Sequence, residues 1–161
     1  MKNIRLILLF SLLSAGISSA QAYKTAIGAR LGWFPGFTIK HFISEQNALE
    51  GIVHMRYRGV GVSGLFEHHQ ETSFLKRMYW MYGGGAHATF IDRYRYYDPY
   101  SKYYKSGYGA FVGIDGFFGM EYVFEEVPFA ATVDVKPMIN FVPYFDFWFD
   151  SALSIRYYFG Q

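Results

Sequence analysis

The chain has 161 residues and no cysteine, with 15 Lys and Arg against 13 Asp and Glu. It holds 17 Phe, 15 Tyr and 3 Trp, an aromatic share of 22% beside only 17% charged residues, whereas charged residues alone make up about a quarter of an ordinary soluble domain. The length accommodates one domain with a targeting segment, and the missing thiols exclude disulfide frameworks and cysteine-based metal sites.

Residues 1–22, MKNIRLILLFSLLSAGISSAQA, have a basic start at Lys2 and Arg5, an apolar stretch from Ile7 to Leu13, and a small-x-small site at Ala20-Gln21-Ala22. That is the layout of a cleaved secretory signal peptide. The apolar run, interrupted by Ser11 and Ser14, falls well short of the ~20 residues a spanning helix needs. Cleavage removes two of the 15 cations and none of the 13 anions, so residues 23–161 balance in charge. The excess of positive charge that would speak for nucleic acid goes with the signal peptide.

Strict alternation of apolar and polar residues then recurs along the rest of the chain, the pattern of strands with two unlike faces. Residues 24–33 set Ile27, Ala29, Leu31 and Trp33 against Arg30, and 37–43 set Phe37, Ile39 and Ile43 against Thr38 and Lys40. Residues 48–57 place Leu49, Val53, Met55 and Tyr57 opposite Glu50, His54 and Arg56; 60–68 place Val60, Val62 and Phe66 opposite Ser63 and Glu67. In 77–90 Met78, Trp80, Tyr82 and Phe90 oppose His87 and Thr89, while Gly83-Gly84-Gly85 marks an expected bend. In 108–124 Ala110, Val112, Ile114, Phe118, Met120 and Tyr122 oppose Asp115 and Glu121. Residues 129–141 oppose Phe129, Val133, Val135, Ile139 and Phe141 to Thr132, Asp134, Lys136 and Asn140; 149–159 oppose Phe149, Leu153, Ile155, Tyr157 and Phe159 to Asp150, Ser154 and Arg156. Eight strands in one domain, 23–161, are expected, in the all-β class. Between them 44–47 and 125–128 are short polar turns, 69–76 is an eight-residue turn, and 91–107 is one long Tyr-rich loop.

A soluble barrel would keep its apolar face inside. Here the apolar face carries aromatic residues at the strand ends, Trp33, Phe37 and Tyr57 at one rim and Tyr122, Phe124, Phe129, Tyr157 and Phe159 at the other. Aromatic girdles around an aliphatic band belong to transmembrane barrels. The expected architecture is an eight-stranded antiparallel up-and-down transmembrane β-barrel with short turns on the periplasmic side and the long loop outside.

With its signal peptide, its alternating Gly-aromatic strands and its final strand Ala152–Phe159, the chain resembles the small eight-stranded outer-membrane barrels of Gram-negative bacteria. The last strand is similar to the signal read by the barrel-insertion machinery, with Tyr157 and Phe159 at its aromatic positions, although Gly160-Gln161 follow where many members end on the aromatic. The resemblance implies the barrel fold and an outer-membrane location; a monomer in contact with outer-membrane lipid and lipopolysaccharide is expected. It implies no particular activity.

Three constellations carry candidate chemistry. The inward face gathers Arg30, Lys40, Arg56, Lys136 and Arg156 against Glu50, Glu67, Asp115, Glu121, Asp134 and Asp150. These form a salt-bridged plug, or else the polar lining of a small-solute channel, since buried charges are tolerated only when paired. His87 and Thr89 share a strand face, and outer-membrane lipid A deacylases are similar in using a His and a Ser at this spacing with a nearby carboxylate. Here Thr replaces Ser, the pair faces inward, and the sequence identifies no orienting acid. His68-His69 reads as part of a solvated turn, with no metal site. The 91–107 segment offers Arg93, Tyr94, Arg95, Tyr96, Tyr97, Tyr100, Tyr103 and Tyr104, rigid contact area with cations suited to lipopolysaccharide phosphates. No cofactor is expected. The leading expectation is a non-enzymatic structural or surface-interaction barrel; the alternatives are an acyl hydrolase acting on lipid A and a channel.

Overall fold

The structure is a computed structural model that describes residues 23–56, 59–98 and 103–159, with side chains described for these except 56, 93–98 and 103–108. The expected signal peptide, Tyr57 and Tyr100 lie outside the described residues, as does the side chain of Arg56. Eight strands form: β1 (Thr25–Gly32), β2 (Gly36–Phe42), β3 (Asn47–Arg56), β4 (Gly59–Glu71), β5 (Met78–Asp98), β6 (Tyr103–Val123), β7 (Phe129–Val142) and β8 (Asp146–Phe159). Each pairs antiparallel with the next in sequence, and β1 pairs with β8, closing the barrel in simple up-and-down order.

Period-two alternation decides which side each residue takes, because successive side chains on a strand point to opposite faces. Phe37, Leu31 and Val133 on the outside are 68%, 62% and 62% exposed, while Arg30, Lys40 and Arg156 inside are 1%, 0% and 0% exposed. The polarity is inverted relative to a soluble protein. Eight strands leave an interior about wide enough for side chains, and these charged ones fill it. At Gly28 an added Cβ would lie 2.8 Å from the Arg156 side chain, and at Gly61 it would lie 2.3 Å from His54 Nε2 and 2.5 Å from Thr89 Oγ1. Both glycines make room on the inner wall for larger polar neighbours.

Four expectations are corrected. Residues 91–107 are not one loop: β5 continues to Asp98 and β6 starts at Tyr103, paired to each other through Asp98↔Tyr103. The expected 69–76 turn shortens to the six residues Thr72–Arg77, because β4 extends to Glu71. His69 therefore sits in a strand, 3% exposed, not in a solvated turn. The Gly83-Gly84-Gly85 bend is absent, since the three pair in unbroken register with both β4 and β6; the irregularity in β5 falls between Ile91 and Tyr94 instead. A Cβ at Gly83 or Gly85 would approach a β4 carbonyl oxygen to 2.0 or 1.9 Å, so these glycines serve close backbone approach.

Candidate functional site

The lumen is stacked in layers. At the end that carries both termini, Tyr23, Phe42 and Tyr158 form an aromatic layer with Ala26, Ala48, Val123 and Ala130. Tyr23 stacks on Tyr158 with ring centres 5.1 Å apart and meets Phe42 edge-on at 5.2 Å. At the opposite end Phe34, Phe111, Met138 and Trp148 form a second apolar layer. The inward positions of Ile52, Leu65, Met81 and Phe117 make a third apolar group along the wall.

Between the two end layers lie the charges. In the half near the termini, Lys40 Nζ is 2.8 Å from Glu67 and 3.4 Å from both Glu50 and Glu121. Arg156 reaches Glu50 at 2.5 Å and Glu121 at 3.4 Å, and donates to Thr132 Oγ1 at 2.6 Å. Tyr23 donates its hydroxyl to Glu121 at 2.8 Å, Thr38 donates to Glu50, and His69 Nε2 lies 3.1 Å from Glu67. In the other half Arg30 donates two bonds to Asp134, at 2.5 and 2.6 Å, and a third to Asp150 at 3.0 Å. Lys136 donates to Ser63 at 3.0 Å and lies 3.6 Å from Asp115. The forked Arg30–Asp134 pair is the geometry that fixes a guanidinium in place.

Ten of the eleven charges assigned to the lumen from sequence thus meet inside the barrel; the eleventh, Arg56, has no described side chain. Sequence reasoning missed the pairing of Tyr23 and His69 with this network, although His69 shares the parity of Glu67 and was one strand residue away from being placed. Metal chemistry finds no frame among the described residues, where no three His, Asp or Glu side chains stand together as ligands.

His87 and Thr89 both point inward, at 3% and 0% exposure. They do not meet each other's reactive atoms. His87 Nδ1 is 2.5 Å from Asp115 and its Nε2 2.9 Å from the Asn140 amide oxygen; Thr89 Oγ1 is 3.1 Å from His54 Nε2. The carboxylate that no sequence pattern identified is Asp115, brought from the neighbouring strand by the Gly113 and Asp115 register. With both ring nitrogens engaged and Trp148 stacked 6.1 Å away, this imidazole is a bracket across β5, β6 and β7.

Beyond the barrel rim β5 and β6 run on as a two-stranded ribbon. The pairing of β5 with β4 stops at Ile91 and that of β6 with β7 stops at Val112, yet β5 and β6 continue together to Asp98 and Tyr103. The ribbon backbone carries the positions of Arg93, Tyr94, Arg95, Tyr96, Tyr97, Tyr103 and Tyr104. Tyr157 and Phe159 on β8 face outward, 46% and 45% exposed, against Phe129 of β7.

No protein-family model and no curated protein matches the chain. Among solved structures it is similar to the N-terminal β-barrel domain of Pseudomonas aeruginosa OprF, with a TM-score of 0.63 and 15% sequence identity over 88% of this chain and 100% of that one. At that identity the likeness is one of fold: a closed eight-stranded antiparallel barrel.

Proposed function

We propose that this chain is a non-enzymatic outer-membrane β-barrel, exported through a cleaved signal peptide, with a structural or surface-interaction role carried by the β5–β6 ribbon. The observation that carries the reading is the inverted polarity. Apolar residues occupy the outside of every strand, and fully buried ion pairs fill the inside. A water-facing barrel with that exterior would aggregate through its apolar wall, whereas a bilayer is the solvent that suits it. Aromatic residues mark both edges of the band: Trp33, Phe37, Phe141 and Phe147 at one, Tyr82, Phe129, Tyr157 and Phe159 at the other. The likeness to an OprF barrel domain supports the same reading.

In this reading the ribbon lies outside the cell, its tyrosines and Arg93 and Arg95 meet lipopolysaccharide, and Tyr157 and Phe159 serve recognition by the barrel-insertion machinery. The protein acts as a monomer. Fractionation tests the proposal: the mature protein is expected in the outer membrane, starting at Tyr23, and migrating differently in gels with and without boiling. Recovery in a soluble periplasmic fraction would overturn it.

The acyl-hydrolase alternative gains one observation, the short His87–Asp115 contact. It loses on access, because a lipid ester cannot reach a ring buried at 3% exposure behind Trp148 and Phe111. The channel alternative meets the same obstacle. Arg30, Lys40, Glu50, Glu67, Glu121, Asp134, Lys136 and Asp150 are each 2% exposed or less, so water itself does not touch the side chains that would line a pore.

A further inference from the structure

The Thr72–Arg77 turn differs from the 44–46 turn at the same end of the barrel. Turns favour Gly, Pro, Asn, Asp and Ser, and 44–46 reads Ser-Glu-Gln. The β4–β5 turn reads Thr72-Ser73-Phe74-Leu75-Lys76-Arg77 and holds two large apolar side chains out, Phe74 at 65% and Leu75 at 46% exposure.

The turn is built to stay there. The Thr72 amide donates to Met78 O at 2.8 Å, and its hydroxyl donates to Leu75 O at 3.0 Å. Arg77 sits at φ 62°, a left-handed conformation that a side chain adopts at a cost. Its guanidinium donates to Val123 O at 3.0 Å and Phe124 O at 3.1 Å, its amide lies 3.4 Å from Glu71 Oε1, and its carbonyl accepts from Val123 N at 3.0 Å. The turn is thereby strapped to the end of β6. The turn's backbone leads into the outward band: Met78, whose amide donates to Leu75 O at 3.4 Å, is the first outward residue of β5 and pairs with Tyr122 of β6. Next to it Tyr122 meets Phe124 edge-on at 5.0 Å.

We propose that this turn is a lipid-interface anchor: Phe74 and Leu75 enter the hydrocarbon edge of the leaflet at the termini end, and Lys76 reaches the headgroup phosphates. The proposal rests on the membrane-spanning reading above. Its occupant is lipid because the turn leads straight into the outward band at Met78, and because a cation beside two apolar residues suits the interface, where long cationic chains extend toward phosphate. The β6–β7 turn also exposes an apolar residue, Val127 at 45%, but sets the acidic pair Glu125-Glu126 beside it.

The absence of native cysteine makes site-directed spin labelling direct. Phe74→Cys and, as a second probe, Leu75→Cys are labelled in the full chain refolded into phosphatidylcholine vesicles containing phosphatidylglycerol. Gln46→Cys is the aqueous reference and Leu153→Cys, outward on β8, the hydrocarbon reference. Collision rates with oxygen and with a water-soluble nickel chelate report depth. An oxygen-to-nickel ratio at 74 and 75 severalfold above that at 46 supports the anchor. Ratios at 74 and 75 equal to that at 46, with 153 still in hydrocarbon, overturn it and leave the tip to a water-side protein partner. Should 153 read as aqueous too, the membrane reading itself fails, and the anchor with it.

Discussion

Glu121 is touched by Lys40, Arg156, Tyr23 and Thr132, so one carboxylate balances two buried cations and two hydroxyls. Its removal leaves two buried cations short of a partner. Glu121→Ala is expected to destabilise the barrel by about 3–5 kcal/mol, the range for breaking a buried ion pair from one side, read as a lowered urea midpoint for refolding in detergent. Glu121→Gln keeps the shape and an acceptor, and should cost less. His87 stands in a lesser position. His87→Ala loses the bonds to Asp115 and Asn140, with an expected cost of about 1–3 kcal/mol, and mass spectra of lipid A from cells expressing it should match the wild type. A catalytic base would instead lower an acyl-removing rate by about 100-fold or more, so an acyl change made by wild type and not by the variant would revive the hydrolase. At Gly61 the constraint is volume. Gly61→Val drives carbon into His54 and Thr89, and an overpacking loss of about 1–3 kcal/mol is expected in the same assay.

The β5–β6 ribbon is one element in two environments. From Tyr79 to Ile91, β5 is paired on both sides; from Tyr94 to Asp98 it is paired on one. A free two-stranded ribbon is marginal by itself, so amide exchange at Tyr94–Asp98 is expected to be orders of magnitude faster than at Met81–Ala88, despite identical strand geometry. Equal protection along β5 would mean that something covers the ribbon. The same difference explains where the sequence was legible. Inside the barrel wall, lipid-compatible and lumen faces demand opposite residues, and the alternation located all eight strands, with ends off by a few residues. Beyond the rim both faces meet one environment, so Tyr94, Tyr96, Tyr97, Tyr103 and Tyr104 follow no period-two rule, and strand there reads as loop. The lumen charges were legible as a set by parity, but their pairing was not. Which carboxylate meets which cation depends on strand stagger around the barrel, as in the Arg30–Asp134 contact across 104 residues of sequence. The aromatic end layers were illegible for another reason: on the inward face Phe34 and Phe111 are flanked by glycines and Trp148 by Asp146 and Asp150.

For the molecule as a whole, filling and closure are separate properties with separate readouts. Planar-bilayer recording of the purified protein is expected to show no steady open conductance, because the aromatic layers at both ends and the ion pairs between them leave no solvent-touched wall; a sustained conductance would favour the channel. Closure concerns order in time. β1 finds its outer partner only in β8, with Thr25 opposite Phe159 and Gly32 opposite Ala152. Until the last strand is made, the first has an unpaired edge, and in hydrocarbon an unpaired edge costs several kcal/mol for each unsatisfied group. On the membrane-spanning reading, an N-terminal fragment lacking β8 is expected to form no stable species in a bilayer. The strand order is sequential and most pairings are local hairpins, yet the final seam joins the two ends of the domain, a contact of the longest possible loop. On the same reading, the barrel is expected to close only once β8 is available to pair with β1.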